Sequence, residues 1–380
     1  MYWQNRYLKE TAQFESLAGL ETVDLPNKGL LSGIEIRVWG TIPAEEGKPD
    51  CWLHDRIKKF EIIVNGSKVV KSLDGRQLLA DMLYKRTPLY GHDMKNINGV
   101  SCEEFFYINF GRHYHDLDYM LDLSKVNDPE LRMETDFALT GHNGWENGKA
   151  MTAKPYYSII LHILREPAAA PKGYLKTSEI YRFASGASKK ENMHIPRGPM
   201  YSNLYLQSFY KAYGLSGVLD KVELNINSDD IIPFRMGPQE LEAEVVRKYG
   251  LFQVLQQANV KGGQAYPHPL ELGRLDALFG GGVDLHMSRM DLWAQVTGIQ
   301  LELISSGAGT TNAGVATLDY LGTWPFSVAA IPYFDPWDER FWVDSSKLGD
   351  FWLRVEEVAG ALTSIVKLLA DEVVTKYEAV

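Results

Sequence analysis

An internal repeat constrains this chain more than any other feature. Residues 59–77 (KFEIIVNGSKVVKSLDGRQ) lie on 221–239 (KVELNINSDDIIPFRMGPQ) without a gap, at a constant offset of 162. Lys59/Lys221, Glu61/Glu223, Asn65/Asn227, Gly75/Gly237 and Gln77/Gln239 are identical, and Phe60/Val222, Ile62/Leu224, Val64/Ile226, Val69/Ile231 and Val70/Ile232 match in apolar character. Asn65-Gly66 and Asn227-Ser228 fall where a tight turn joins two strands, which gives the matched Asn a physical reason. Two echoes extend the match. Leu25-Pro26 followed by Ile34–Val38 is answered by Ile195-Pro196 followed by Leu204–Leu206, and Ser158–Leu164 is answered by Ser364–Ala370. The same order of elements occurs twice, which predicts two copies of one β-sandwich related by duplication. A chain of 380 residues has room for two cores.

Local patterns support strands in both halves. Ile34, Ile36 and Val38 alternate with Glu35 and Arg37, and Leu131, Met133, Thr135 and Phe137 alternate with Arg132, Glu134 and Asp136. Later, Val222, Leu224 and Ile226, then Ile299, Leu301 and Leu303, then Phe351, Leu353 and Val355 repeat the alternation. The supply of 33 Gly, 17 Pro, 20 Tyr, 15 Phe and 9 Trp suits many short strands and excludes an all-helical chain. Two helices interrupt the strands. Residues 75–86 follow an N-cap candidate, Asp74, and carry Leu78, Leu79, Met82 and Leu83 on one stripe. The second starts at Pro238, places Glu240, Glu242 and Glu244 early and Arg247 and Lys248 late, and stops at Gly250. Residues 362–374 fit a helix about as well as a strand, and only the repeat favours a strand. The Pro-bracketed stretch Glu166–Gly173 reads as the linker between the halves.

Charge and cysteine content exclude several classes. The net charge of −10 and the lack of any Lys/Arg run argue against direct, sequence-specific nucleic-acid binding. Two cysteines, Cys51 and Cys102, cannot build a disulfide framework, and MYWQNRYLKETAQ lacks a signal-peptide core, so synthesis in a reducing cytoplasm is expected. The most apolar stretch, 324–334, is too short for a membrane span and contains Pro325 and Pro332.

The segments LPNKGLLSGIEIRVWGT (25–41) and FEIIVNGSKVVKSLDGRQLL (60–79), with their counterparts IPRGPMYSNLYLQSFY (195–210) and VELNINSDDIIPFRMGPQEL (222–241), give the chain a resemblance to a family. It resembles the double jelly-roll major capsid proteins of tailless icosahedral viruses, the adenovirus-hexon-like lineage that includes bacteriophages. That resemblance implies a mainly all-β fold of two tandem eight-stranded antiparallel jelly rolls, each with a short flanking helix. It divides the chain into an N-terminal arm (1–24), a first roll (25–166), a linker (167–173) and a second roll (174–380) with long loops at 251–291 and 305–314. It further implies a structural protein of the virion capsid, a homotrimer with a pseudo-hexagonal outline that meets neighbouring capsomers, penton proteins and minor capsid proteins. The arm, carrying Tyr2, Trp3, Tyr7, Leu8 and Phe14 in a slightly acidic setting, would face protein or an inner membrane.

The residues also offer an enzymatic reading. In Gly111-Arg-His-Tyr-His-Asp-Leu-Asp118, His113 and His115 would point to one face of a strand and, with Asp116, could meet a metal, as in a two-domain cupin. The other members of such a set, Asp118 and Glu134, have no recognisable spacing, and His194, His268 and His286 of the second half are isolated. Gly307-Ala-Gly309-Thr-Thr lacks the Lys-Ser/Thr of a phosphate-binding loop and reads as a surface loop, and Gly280–Gly282 marks a turn. His92-x-Met94 and Cys51-Trp52-Leu-His54 are single pairs at unhelpful spacing. The aromatic cluster from Trp324 to Trp342 fits a core first, a subunit interface second and a sugar platform third, the last belonging to a tandem carbohydrate-binding protein. No catalytic residue and no cofactor is nominated.

Overall fold

The computed structural model describes residues 1–41, 52–87, 89, 94–96, 101–140, 150–167, 169–209, 214–260, 264–267, 271–278, 292–297, 300–305, 314–360 and 364–377, with side chains at neither 94–96, 101 nor 256–319. The first half contributes β1 (Tyr2–Gln13), β2 (Ala18–Asp24), β3 (Leu30–Thr41), β4 (Ile57–Val64), β5 (Lys68–Leu73), α1 (Gly75–Tyr84), β6 (Ser101–Asn109), β7 (Glu130–Asp136) and β8 (Tyr156–Arg165). The second contributes β9 (Tyr174–Ala184), β10 (Lys190–His194), β11 (Met200–Ser208), β12 (Leu219–Ile226), β13 (Ile231–Met236), α2 (Pro238–Tyr249), β14 (Val328–Ala330), β15 (Phe351–Glu357) and β16 (Ile365–Val374).

The sheets repeat one plan. In the first half, neighbours run β1-β8-β3-β6 in one sheet and β2-β7-β4-β5 in the other; in the second they run β9-β16-β11-β14 and β10-β15-β12-β13. Each half is an eight-stranded jelly roll, and every strand of the first has its counterpart eight labels later. The inward positions form the core: Ile34, Ile36, Ile62, Leu131 and Ile159 in the first roll, Leu204, Leu224, Leu353, Val355 and Leu368 in the second, all with essentially no exposure. Their alternation with Glu35, Arg37 and Arg354 is the period-2 pattern of a strand with one buried face. Both helices form where the sequence places them, with Asp74 as N-cap of α1 and Gly250, at φ 81°, ending α2.

Both matched asparagines adopt the left-handed backbone, Asn65 at φ 53° and Asn227 at φ 57°. Each also does a second job. Asn65 Oδ1 accepts from the amide of Asn127 at 2.7 Å, and Asn227 Oδ1 accepts from the amide of Gly349 at 2.6 Å, tying the hairpin to the loop before β7 or β15. Residues 365–374 are a strand, and β16 pairs with β9 and β11.

Three expectations need correction. Residues 1–24 do not form an arm outside the roll. β1 pairs with β8 from Tyr2 to Gln13, β2 pairs with β7, and Phe14 and Val23 are buried in the core, so these residues complete both sheets of the first roll. The 251–291 segment is not a plain loop: Phe252–Val260, Gln264–Pro267 and Glu271–Leu278 are strands, and Leu292–Thr297, Gln300–Ser305 and Gly314–Thr323 follow them, while the expected 305–314 loop lies outside the described residues between Ser305 and Gly314. Phe252–Val260 also pairs in parallel with Met94–Asn96, which joins the insertions of the two rolls. Finally, the terminal echo slips. Leu164 pairs with Leu30 and Val373 with Met200, so Leu164 corresponds to Val373, three residues from the alignment of Ser158 with Ser364. Both strands are apolar enough to slide past one another in sequence.

Candidate functional site at the junction of the two rolls

The two rolls share a sheet. Lys71 and Ser72 of β5 pair in parallel with Thr177 and Ser178 of β9, which fuses one sheet of each roll into a continuous layer. α1 secures this seam. Its first turn is a capping box: the Asp74 carboxylate accepts from the Gln77 amide at 2.8 Å, and Gln77 Oε1 accepts from the Asp74 amide at 2.9 Å. Leu78, Leu79 and Met82 fill the first core. Other side chains reach across. Gln77 Nε2 donates to Gln207 Oε1 at 2.9 Å, and Arg76 lies 3.7 Å over the Phe209 ring. The Tyr84 hydroxyl donates to Val328 O at 2.7 Å and accepts from the Ala330 amide at 3.2 Å. Lys367 Nζ of β16 returns to Asp74 at 2.8 Å. Every residue of α1 but Leu83 is buried.

Beneath α1 sits a buried charge network. Lys85 Nζ is 2.7 Å from Asp81 and 3.1 Å from Asp371, the Thr177 hydroxyl donates to Asp371, Lys71 Nζ donates to Thr177, and the Tyr205 hydroxyl donates to Asp371 at 3.1 Å. Burial and the neighbouring Lys85 charge pull the Lys71 ammonium down to about 7. Burial raises the Asp81 carboxyl. Burial works in the same sense on Asp371, but the charges of Lys85 and Lys71 outweigh it and hold that carboxyl below its ordinary value. Lys85 likewise stays charged, because Asp371 and Asp81 offset its desolvation. Members come from β5, α1, β9, β11 and β16, so the network exists only when both rolls are in register. Removing one member of such a set strands a buried charge. A cavity of about 230 Å³ opens at this seam, lined in part by His54, Asp55, Arg76, Gln207, Phe209 and Lys367. Arg76 is held there by both oxygens of Asp55, at 2.5 and 3.1 Å.

The His-x-His string lies elsewhere, in turns after β6 and not on a strand. His113 Nδ1 rests 3.0 Å from Tyr114 O. His115, at φ 58°, is sandwiched between Trp3 and Tyr114 at 4.0 and 3.9 Å, with Nε2 3.3 Å from Nδ1 of His162. Burial and the neighbouring His162 draw the His115 imidazole down to about 4. Asp116 is occupied by the turn itself: it accepts from Arg112 Nε at 2.7 Å and Nη2 at 2.9 Å, and from the amides of Arg112 and Asp118, both at 2.9 Å. The structure thus brings His115 to His162 and leaves Asp116 with Arg112, and no group of three or more His, Cys, Asp or Glu suited to a metal occurs among the described residues.

Cys102 is buried, donates to Gly40 O at 3.1 Å, and has its thiol pushed up to about 12 by burial and the Glu104 charge. His54, also buried, lies 3.1 Å from both Glu104 oxygens. Cys51, His92, His268, His286, the 280–282 glycines, the Gly307–Thr311 loop and the side chain of Met94 lie outside the described residues. Within the aromatic cluster, Trp324, Phe326 and Phe334 are core residues, whereas Tyr333 and Phe341 are exposed. Trp342 stacks edgewise on Tyr119, and Trp337 receives Arg86 at 3.6 Å.

One duplicated string escaped the sequence reading. Residues 121–136 lie on 343–358 at an offset of 222, with identities Asp122/Asp344, Ser124/Ser346, Lys125/Lys347, Asp128/Asp350, Leu131/Leu353, Arg132/Arg354 and Glu134/Glu356. In both, the Asp carboxylate accepts from the Ser hydroxyl at 2.6 Å and pairs with the Lys, at 3.3 and 3.0 Å.

No protein-family model matches this chain, and no curated protein matches it. Solved structures do. The major capsid protein of STIV, the Sulfolobus Turreted Icosahedral Virus, is similar over 99% of this chain and 98% of its own, with a TM-score of 0.61 and 11% identity. The major capsid protein P2 from bacteriophage PM2 is similar over 98% of each chain, with a TM-score of 0.52 and 11% identity. A chain of the PBCV-1 virus capsid covers 97% of this chain and 93% of its own, with a TM-score of 0.52 and 11% identity. At such identities the likeness is one of fold, and it runs the length of both rolls.

Proposed function

We propose that this protein is a structural subunit of an icosahedral viral capsid, a major capsid protein whose homotrimers tile the shell. The observation that carries the reading is the seam. One chain holds two rolls of identical topology side by side through a buried helix and a shared sheet, and three such chains supply six similar walls, the outline needed to tile with six neighbours. The solved structures of similar fold are capsid proteins of the Sulfolobus Turreted Icosahedral Virus, bacteriophage PM2 and PBCV-1, which supports the same role here. The division into rolls at the 167–173 linker suits it, because a short link fixes which walls are adjacent. The joined insertions of 94–96 and 252–323 would supply the contacts that differ between faces. The protein would act in the virion after synthesis in the host cytoplasm, meeting further copies of itself and, at the vertices, penton and minor proteins. Its acidic balance suits a wall that encloses a genome without gripping it.

Light scattering on the purified chain tests this directly. A species of three times the 42.9 kDa chain mass, growing into larger assemblies with concentration, is expected. A monomer at every concentration and salt would contradict it.

A further inference from the structure

The rolls share a topology but not surroundings. α1 is buried because the second roll covers it; its counterpart α2 leaves Gln239, Glu240 and Arg247 exposed and Lys248 half-buried. β5 pairs with β9; its counterpart β13 ends its sheet among the described residues, with Ile231 and Ile232 50% and 47% exposed. Conversely β1, the counterpart of β9, ends its own sheet among the described residues, with Tyr2, Asn5, Arg6 and Tyr7 exposed. The surface that receives α1 is made by β11, β14 and β16; its counterpart on β3 and β8 carries Glu35, Arg37 and Trp39 half-exposed and Tyr156 exposed. Arg37 lies 4.6 Å over Trp39, which stacks on Tyr156 at 5.9 Å. One molecule therefore presents an unmatched half of the junction at each end.

Strand register fixes which residues correspond. The pairing of β3 with β8 skips Ser32, and that of β11 with β16 skips Ser202; both serines are buried. Aligning these bulges equates Glu35, Arg37 and Trp39 with Tyr205, Gln207 and Phe209, and His162 with Asp371. The hairpin registers equate Leu73 with Met236, so beyond the turn the gapless match slips by one residue and Gln77 corresponds to Glu240, not Gln239; Arg76 and Lys85 likewise align with Gln239 and Lys248. Carrying the internal contacts across, the Gln77–Gln207 pair becomes Glu240 against Arg37. The approach of Lys85 to Asp371, beside Tyr205, becomes Lys248 against His162 and Glu35, which already lie 3.6 Å apart. Arg76 over Phe209 becomes Gln239 against Trp39. Both substituted polar pairs place opposite charges together, with Arg37 also holding Glu103 of its own chain, 3.0 Å from its Nε. Arg235, brought beside Arg6, is already balanced by Glu223 and Glu356, each at 3.3 Å.

We infer that the α2–β13 face of one copy docks on the β1–β8–β3 face of the next copy, repeating between chains the junction that joins the rolls within a chain. Glu240 then meets Arg37, and Lys248 meets Glu35. The inference rests on the reading of a self-assembling subunit and names the two surfaces that meet. A head-to-tail contact of this kind is heterologous, and it closes into a ring when the rotation between successive rolls allows.

Charge reversal tests it. Glu240→Arg and Arg37→Glu should each raise the concentration at which the chain self-associates about tenfold, and the double variant should return to within about threefold of wild type. Should Arg37→Glu fail to fold, as judged by far-UV circular dichroism, Lys248→Glu with Glu35→Lys gives the same reading. In a second arm, Glu240→Cys chains mixed with Arg37→Cys chains should form an interchain disulfide on oxidation that wild type does not form. A wild-type chain that assembles while the reversals and the cysteine mixture change nothing would overturn the named surfaces and leave the capsid reading standing. A wild-type chain that never self-associates would overturn both.

Discussion

At Lys71 the fold holds an ammonium where water cannot reach it, and this has a consequence for pH. Its folded pKa of about 7 lies below the ordinary 10.5, so between those values the unfolded chain binds the additional proton. Lys71 therefore contributes a rise in stability as pH increases from about 7 to 10, and a penalty at neutral pH. Denaturant titrations of wild type and Lys71→Met across pH 7–9 should show the wild type gaining on the variant as pH rises; parallel curves would contradict it. Asp371 behaves oppositely as a member of the set. Asp371→Ala leaves Lys85 buried with Asp81 alone and should cost roughly 3–5 kcal/mol by the same titration. At the two turns, Asn65→Ala and Asn227→Ala should each cost about 1–2 kcal/mol, through the loss of a left-handed residue and of the bond to Asn127 or Gly349. Asn→Gly should cost less, because it keeps the backbone. The turn role of these residues was legible in sequence; the buried lysines were not, since a Lys in KVVKSL reads as a solvated residue of an alternating strand until β9 closes over it.

Among the elements, α1 reaches furthest across the seam, through Arg76, Gln77 and Tyr84. Tyr84→Phe withdraws the hydroxyl that joins Val328 O to the Ala330 amide and should lower stability by about 1–3 kcal/mol, with the loss localised by hydrogen exchange to β14 and the seam. An equal loss of protection throughout both rolls would contradict that assignment. The helices, both hairpins and most core strands followed from periodicity and capping residues. β1 did not, because an edge strand bearing Arg6, Lys9 and Glu10 reads as a polar tail, which is how exposed edges are protected from unwanted pairing. The 121–136 and 343–358 match stayed hidden for another reason. The insertion between α2 and β14 moves the offset from 162 to 222, and a search at constant spacing passes over it.

For the whole molecule, the decisive property is that one chain is already a dimer of rolls. Its internal junction shows how two such rolls meet, and each end of the molecule offers half of that junction again. No helix among the described residues is long and apolar enough to cross a membrane, and the strands of residues 2–24 pair within the first roll. Electron microscopy of the purified chain bears most directly on this account. Class averages of three-fold particles showing six similar lobes around a closed ring are predicted. Isolated two-lobed particles at every concentration would contradict it.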